Sequence, residues 1–230
     1  MDLFFINDSD EQEYSTGLLM IDIFTKFMTV TPIKSKQSDD VLEGITQALH
    51  NMGRNPEVIY SDDEGSFKSA HAEQFYKDHN IKHIVTRLHS NYAERAIRTI
   101  KNMIFKRLEQ HDELRWYDNE ILSNALVTYN YKMENSTTHM TPNEAREPKN
   151  KLEVAIRLEA HRIKTRNYPD VNIGDLVRIY TKKKNSQKEN ISVWSPYKYK
   201  VVKIDESQGQ KFYHIDGQTR PLLRHEILKA

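Results

Sequence analysis

The sequence predicts an α/β domain followed by a small all-β domain, and three observations carry that prediction. In the first part, short apolar runs and helical stripes follow one another in the order βββαβαβα, which is not a simple alternation of βα units. After Tyr168-Pro169 helical spacing gives way to short strands separated by turn-rich pieces. The charge balance changes in the same part of the chain. Residues 1–150 hold 17 Lys+Arg against 24 Asp+Glu, a net of −7, whereas residues 151–230 hold 17 against 9, a net of +8.

Each element has a local reason. Leu3 to Ile6 reads as a first strand, Asn7 to Tyr14 as an acidic, polar turn, and Leu18 to Phe24 and Phe27 to Pro32 as two more strands completing a meander. Ser38-Asp39-Asp40 supplies a helix start with acids in its first turn. Val41, Leu42, Ile45, Leu49 and Met52 keep helical spacing until Gly53 stops it. Val58 to Tyr60 is a fourth strand, Ala70 to His79 a short helix and Lys82 to Thr86 a fifth strand. Arg87 to Asn91 lacks periodicity and reads as a loop. Long helices are expected over Tyr92–Gln110 and, after a break at His111-Asp112, over Glu113–Met133. The second carries the core stripe Leu114, Tyr117, Ile121, Leu122, Ala125 and Tyr129. Thr141-Pro142-Asn143-Glu144 is a helix start with proline in the first helical position.

From Asn150 to Asn167 a basic, helix-like connector is expected. Beyond it, strands are expected at Leu176–Thr181, Tyr197–Ile204, Phe212–Ile215 and Arg220–Leu223, with turns at Lys182–Glu189 and Asp205–Gln210 and Trp194 packing beneath them. Five or so short strands in about sixty residues suggest a small barrel. The division is therefore 1–150, 151–169 and 170–230.

Composition excludes several classes. The 230 residues contain no cysteine, which rules out disulfides and any cysteine-ligated zinc. No apolar stretch approaches a membrane span, and no basic-then-apolar leader opens the sequence, so an intracellular protein is expected. The basic excess in 151–230 is a hint of nucleic-acid binding, against a solvated lysine-rich surface.

Three acids stand in unusual settings. Asp2 lies in Asp2-Leu3-Phe4-Phe5-Ile6, Asp62 ends Val58-Ile59-Tyr60-Ser61-Asp62, and Glu94 opens a helix in Tyr92-Ala93-Glu94-Arg95. An acid at the tip of a hydrophobic strand is poorly placed as a solvated charge. Two strand carboxylates and one helix carboxylate are what a pair of divalent metals needs for phosphoryl transfer. Asp63 competes with Asp62, and Asp22 on the second strand competes with Asp2, although a strand-end acid such as Asp22 commonly bonds to nearby backbone or a basic side chain. Glu94, Arg98 and Lys101 share a helix face. That is either an ordinary surface ion pair or a metal ligand beside phosphate-binding cations.

The ordered set Met20-Ile21-Asp22-Ile23-Phe24-Thr25-Lys26-Phe27, Ile59-Tyr60-Ser61-Asp62-Asp63-Glu64-Gly65, Ile81-Lys82-His83-Ile84-Val85-Thr86 and Ala93-Glu94-Arg95 with Ile97-Arg98-Thr99-Ile100-Lys101 resembles DDE integrases. So do Tyr129-Asn130, Met140-Thr141-Pro142-Asn143-Glu144-Ala145 and Ile173-Gly174-Asp175-Leu176-Val177-Arg178. The resemblance is strongest to the integrases of Polinton (Maverick) transposons. It implies a ribonuclease H-like core with a five-stranded mixed sheet, then an SH3-like barrel. It also implies two Mg²⁺ or Mn²⁺ ions on Asp2, Asp62 and Glu94, with DNA contacts from Arg95, Arg98, Lys101, Lys182, Lys183 and Lys184.

By the same resemblance the partners are element and target duplex DNA, without a membrane, in a homo-oligomer that is nuclear in a eukaryotic host. Two departures stand out. The family's glycine follows its second aspartate by two residues, against three here. The chain starts one residue before Asp2, where family members carry further residues and most a zinc domain, so a fragment of a longer protein or a damaged copy is expected. Two rival readings follow, a ribonuclease H-like nuclease and an element-derived protein that only binds DNA. His83 and His89 are not expected in the catalytic set.

Overall fold

A computed structural model describes residues 1–6, 13–86, 91–111, 113–164, 168–181, 192–207 and 210–230. These form two compact units, 1–163 and 164–230. Lys182, Lys183 and Lys184 lie outside the described residues, as do His89, most of the expected turn before Tyr14 and most of the expected loop at 87–91.

The first unit opens with an antiparallel meander, β1 (Asp2–Phe5), β2 (Thr16–Ile21) and β3 (Met28–Ile33), in that spatial order. After α1 (Ser38–Met52) come β4 (Val58–Ser61), α2 (Ala70–Asp78) and β5 (Lys82–Val85), with β4 and β5 paired in parallel. The expected five-stranded sheet is thus a three-stranded and a two-stranded ladder. They meet where the Met1 nitrogen donates to Tyr60 O at 2.6 Å. The strands are too short for this meeting to extend into a regular ladder, since β1 and β4 have four residues each.

Alternation along the strands divides the core in two. Leu3, Leu18, Met20 and Ile59 face α1 and α2, packing with Val41, Ile45, Phe67 and Tyr76. Phe4, Leu19, Met28 and Val30 face the other way, against Ala93, Ala96, Ile100 and Ile104 of α3 (Asn91–Leu108). Gly17 is required where Phe4 crosses β2. A Cβ there would come within 3 Å of the Phe4 ring. Gly53 caps α1 at φ 70°, a left-handed conformation that costs glycine little.

The expected helix over 113–133 is corrected. Among the described residues, 113–118 form turns. Helix begins at Asn119 and runs as a π-helical stretch (Asn119–Ser123), α4 (Asn124–Val127) and a second π-helical stretch (Thr128–Lys132). Side chains compete for the helix's own carbonyls: Asn124 Nδ2 donates to Glu120 O at 2.8 Å and Thr128 Oγ1 to Asn124 O at 2.7 Å. Upstream, Trp116 is fully buried against Phe4, and its indole nitrogen donates to Tyr14 O at 2.7 Å, which holds the segment out of helix. Thr141 and Glu144 make a capping box at α5 (Pro142–Ala145), with Pro142 in its first turn. Helix α6 (Lys151–Lys164) follows, and its Arg157 donates to His139 O at 3.0 Å.

The second unit is a four-stranded antiparallel sheet of β6 (Leu176–Ile179), β7 (Tyr199–Ser207), β8 (Gln210–Ile215) and β9 (Ile227–Lys229), in the order β8-β7-β6-β9. Two expectations are corrected. The stretch Arg220–Leu223 contributes only the bridge Leu222–Tyr213, and the fourth strand lies further on at Ile227–Lys229. Trp194 is half-buried, edge-on to Tyr180, whereas the core is Val171, Val177, Val201, Tyr213, Ile215, Leu222 and Ile227.

Candidate active site

Asp2 is the first residue of β1, opposite Leu19. Its Oδ1 accepts from Leu3 N at 2.8 Å. Burial pushes its carboxyl up to about 6, the negative charge of Asp62 adds to that, and Glu94 contributes in the same direction. The charges of Asp62 and Glu94, far apart in sequence, thus both act on Asp2. Among the described residues, no trio of His, Cys, Asp or Glu is already gathered tightly enough to hold an ion.

Asp62 follows the last residue of β4. Its Oδ1 is shut off from solvent and receives no hydrogen bond. The neighbouring acids are occupied outside: Asp63, largely exposed, pairs with Lys68, and Glu64 pairs with Lys36 at 2.9 Å. A carboxyl oxygen buried without a donor is costly, and oxygen ligands of this kind suit a hard cation.

The strand end that carries Asp62 is tied by Ser61, which is fully buried. Ser61 O accepts from Thr86 N at 2.8 Å and Thr86 Oγ1 at 3.0 Å. Ser61 Oγ lies 2.9 Å from Asp62 O, to which it donates, and 2.8 Å from His83 Nε2. Burial lowers the pKa of His83, whose ring rests on Tyr76 at 4.6 Å. Sequence reasoning does not find Ser61 and His83 as site components. The only signal for them is parallel register: Ile59 lies opposite His83, which puts His83 diagonal to Ser61 on the same face.

Asp22 has a different environment. Its Oδ1 accepts from Phe24 N at 2.9 Å, and its Oδ2 from Thr25 Oγ1 at 2.8 Å and from the Arg54 guanidinium. Both oxygens hold the β2–β3 turn, where Lys26 adopts φ 66°.

Glu94 lies in the first turn of α3 and is exposed, as are Arg95 and Arg98. Lys101 Nζ donates to Phe5 O at 2.8 Å, fastening α3 to the end of β1. At the helix start, the ammonium of buried Lys26 sits 4.6 Å from the centre of the Tyr92 ring. The helix that bears Glu94 is thus held to the meander at both ends of its first three turns.

The part of the chain that holds Asp2 and Asp62 is similar to a known domain. Residues 1–91 match the Integrase core domain. An uncharacterized transposon-derived protein of Caenorhabditis elegans is 29% identical over 103 residues, 44% of this chain and 36% of that protein. The match thus spans about a third of that relative's length. The catalytic core domain of HTLV-2 integrase, solved with magnesium, aligns with TM-score 0.53 and 24% identity, over 60% of this chain and 88% of its own. A simian T-cell lymphotropic virus intasome, solved with a PP2A regulatory subunit, aligns with TM-score 0.65 and 16% identity, over 100% of this chain and 77% of its own. The first unit has the ribonuclease H-like arrangement of retroviral integrase cores. Among the described residues no helix is long and apolar enough to cross a membrane.

Proposed function

We propose that this chain is a DDE-type polynucleotidyl transferase that processes the 3′ ends of mobile-element DNA and joins them to target DNA. The observation that carries the reading is the electrostatic convergence of Asp62 and Glu94 on Asp2, together with the buried, donor-less Oδ1 of Asp62. Asp2, Asp62 and Glu94 would hold Mg²⁺ or Mn²⁺, two ions in the active complex, and that pair supplies Lewis-acid stabilisation of the attacking and leaving oxygens. Asp62 is assigned over Asp63 because Asp63 is turned outward to Lys68, and Asp2 over Asp22 because both Asp22 oxygens already hold a turn.

The chain's other residues bind and orient. Arg95 and Arg98 stand on the exposed side of α3 and would hold DNA phosphates beside Glu94. Lys101 would do so only by leaving Phe5 O, so its first role is to brace the helix. In our assignment the catalytic core is 1–150, a connector covers 151–169, and 170–230 is an SH3-like domain that clamps duplex DNA through phosphate contacts, with Lys182, Lys183 and Lys184 among its cations. The match to a transposon-derived protein supports a mobile-element origin, which we assign to a Polinton-type element acting in the nucleus as a homo-oligomer.

The test is a strand-transfer assay with a duplex carrying the element's terminal sequence, in Mn²⁺ and in Mg²⁺. Joined products from the wild type, and none from a folded Asp62→Asn variant, are expected. Cleavage of RNA–DNA hybrids without joining would assign a nuclease, and DNA binding without either activity would leave a binding protein.

A further inference from the structure

We propose that Ser61 and His83 are positioning residues for Asp62: a hydrogen-bond relay from the imidazole through the serine hydroxyl to the Asp62 carbonyl fixes the strand end so that the Asp62 carboxylate points to the metal site. The inference rests on the assignment of Asp62 as a ligand, and it adds two residues outside the proposed ligand set.

The proton count sets the direction of the relay. Ser61 Oγ has one hydrogen, and it is given to Asp62 O at 2.9 Å. The hydrogen in the 2.8 Å contact with His83 must then come from Nε2. His83 is held in this role from two directions, by its place on β5 beside β4 and by the Tyr76 ring against its face. The Ser61 carbonyl is fixed as well, by both polar groups of Thr86. Side chain and carbonyl of residue 61 therefore hold the peptides on both sides of Asp62.

That hold matters because the Asp62 carboxylate oxygen at issue has no hydrogen bond of its own to aim it. Its neighbours Asp63 and Glu64 are each aimed by a lysine. Asp62 Oδ1 has only its backbone, and ligand geometry at a metal is set by such outer partners. Removing the serine hydroxyl takes a partner from both Asp62 O and His83 Nε2 in a partly buried place, and the strand end is free to turn.

The experiment measures Mn²⁺ binding to the full chain by isothermal titration calorimetry, below the unfolding midpoint of every variant. Ser61→Ala and His83→Phe are each expected to weaken binding about 10–100-fold. The double variant should be no weaker than the weaker single, because both changes break one relay. His83→Gln, whose side-chain amide can donate in place of Nε2, should restore affinity to within a few-fold of wild type. A general loosening of the core would not be repaired by that exchange. Asp62→Asn is the control. If it binds Mn²⁺ as the wild type does, the ligand assignment fails. If Asp62→Asn loses binding while Ser61→Ala and His83→Phe bind normally, the relay alone is overturned. Additive losses in the double variant, or no restoration by glutamine, also overturn it.

Discussion

Asn130 and Met28 exchange two hydrogen bonds across 102 positions of sequence: Met28 N donates to Asn130 Oδ1 at 3.0 Å, and Asn130 Nδ2 donates to Met28 O at 2.8 Å. β3 is the outer strand of its ladder, so Met28 would otherwise present unpaired backbone groups inside the protein. The Asn130 amide imitates a neighbouring strand for one residue, and Asn130 is 3% exposed. The second π-helical stretch turns this side chain inward, which ties an irregular helix to the fold's central meander.

Replacing Asn130 by alanine leaves a buried N–H and a buried carbonyl without partners. A loss of about 2–3 kcal/mol is expected, read as a lower midpoint in urea unfolding. Asn130→Asp should fail similarly, because it cannot donate to Met28 O. Stability within 0.5 kcal/mol of wild type for either variant would show that water serves Met28 as well, by the usual size of a surface substitution, about ±0.5 kcal/mol.

Much of the first unit is legible in the sequence, and the places where legibility fails share a cause. α1 is readable because Ser38-Asp39-Asp40, a regular apolar stripe and Gly53 all agree. The 113–133 segment has a helical stripe too, but Trp116 gains more from burial beside Phe4 than from helical spacing, and Asn124 and Thr128 compete for backbone carbonyls. In the second unit the sequence reading places the last strand at Arg220–Leu223, whereas Ile227–Lys229 pairs with β6. Asp2 and Asp62 are legible as acids at the ends of apolar strands, and Glu94 only as an acid that opens an exposed helix turn. Ser61 and His83 are not, because these two residues, 22 positions apart, meet only through the register of two parallel strands.

Asp22 should be a structural residue. Asp22→Ala removes the acceptors for Phe24 N, Thr25 Oγ1 and Arg54, and about 1–3 kcal/mol of stability should go with them, while Mn²⁺ affinity stays at the wild-type level. Urea unfolding checks the first and calorimetric titration the second. Loss of Mn²⁺ binding in Asp22→Ala, with normal binding in Asp2→Ala, would transfer the first carboxylate of the site to Asp22.

The second unit should contribute salt-dependent DNA affinity through its exposed cations. Lys200 on β7, opposite in facing to buried Val201, and Lys198, one position before the strand begins, are both exposed. Replacing both with alanine should weaken duplex binding without regard to sequence. The slope of log affinity against log salt should fall by about 2, since each phosphate that a lysine no longer neutralises removes roughly 0.9. Fluorescence anisotropy at several salt concentrations measures this, and an unchanged slope would exclude that strand from the DNA interface.

Asp2 supplies a test of the carboxylate cluster that needs no DNA. Its carboxyl titrates at about 6 in the folded chain, against 3.8 without burial and the neighbouring acids. A raised carboxyl pKa means the folded form binds more protons than the unfolded form between those values. Metal-free stability should then fall as pH rises from about 4 through 6, with the whole penalty present above that window. Asp2→Asn keeps the acceptor for Leu3 N but carries no charge, so at pH 7.5 it should be more stable than wild type. Because Asp2 is only half-buried, solvent screening reduces the gain to about 1 kcal/mol, a midpoint shift of roughly 2–4 °C. The advantage should shrink below pH 6 and vanish near pH 4. Millimolar Mg²⁺ at pH 7.5 should reverse the order, stabilising the wild type and leaving Asp2→Asn where it was. Parallel melting curves for the two proteins from pH 4 to 8 would show that Asp2 does not feel Asp62 and Glu94, and the shared site would fall with that result.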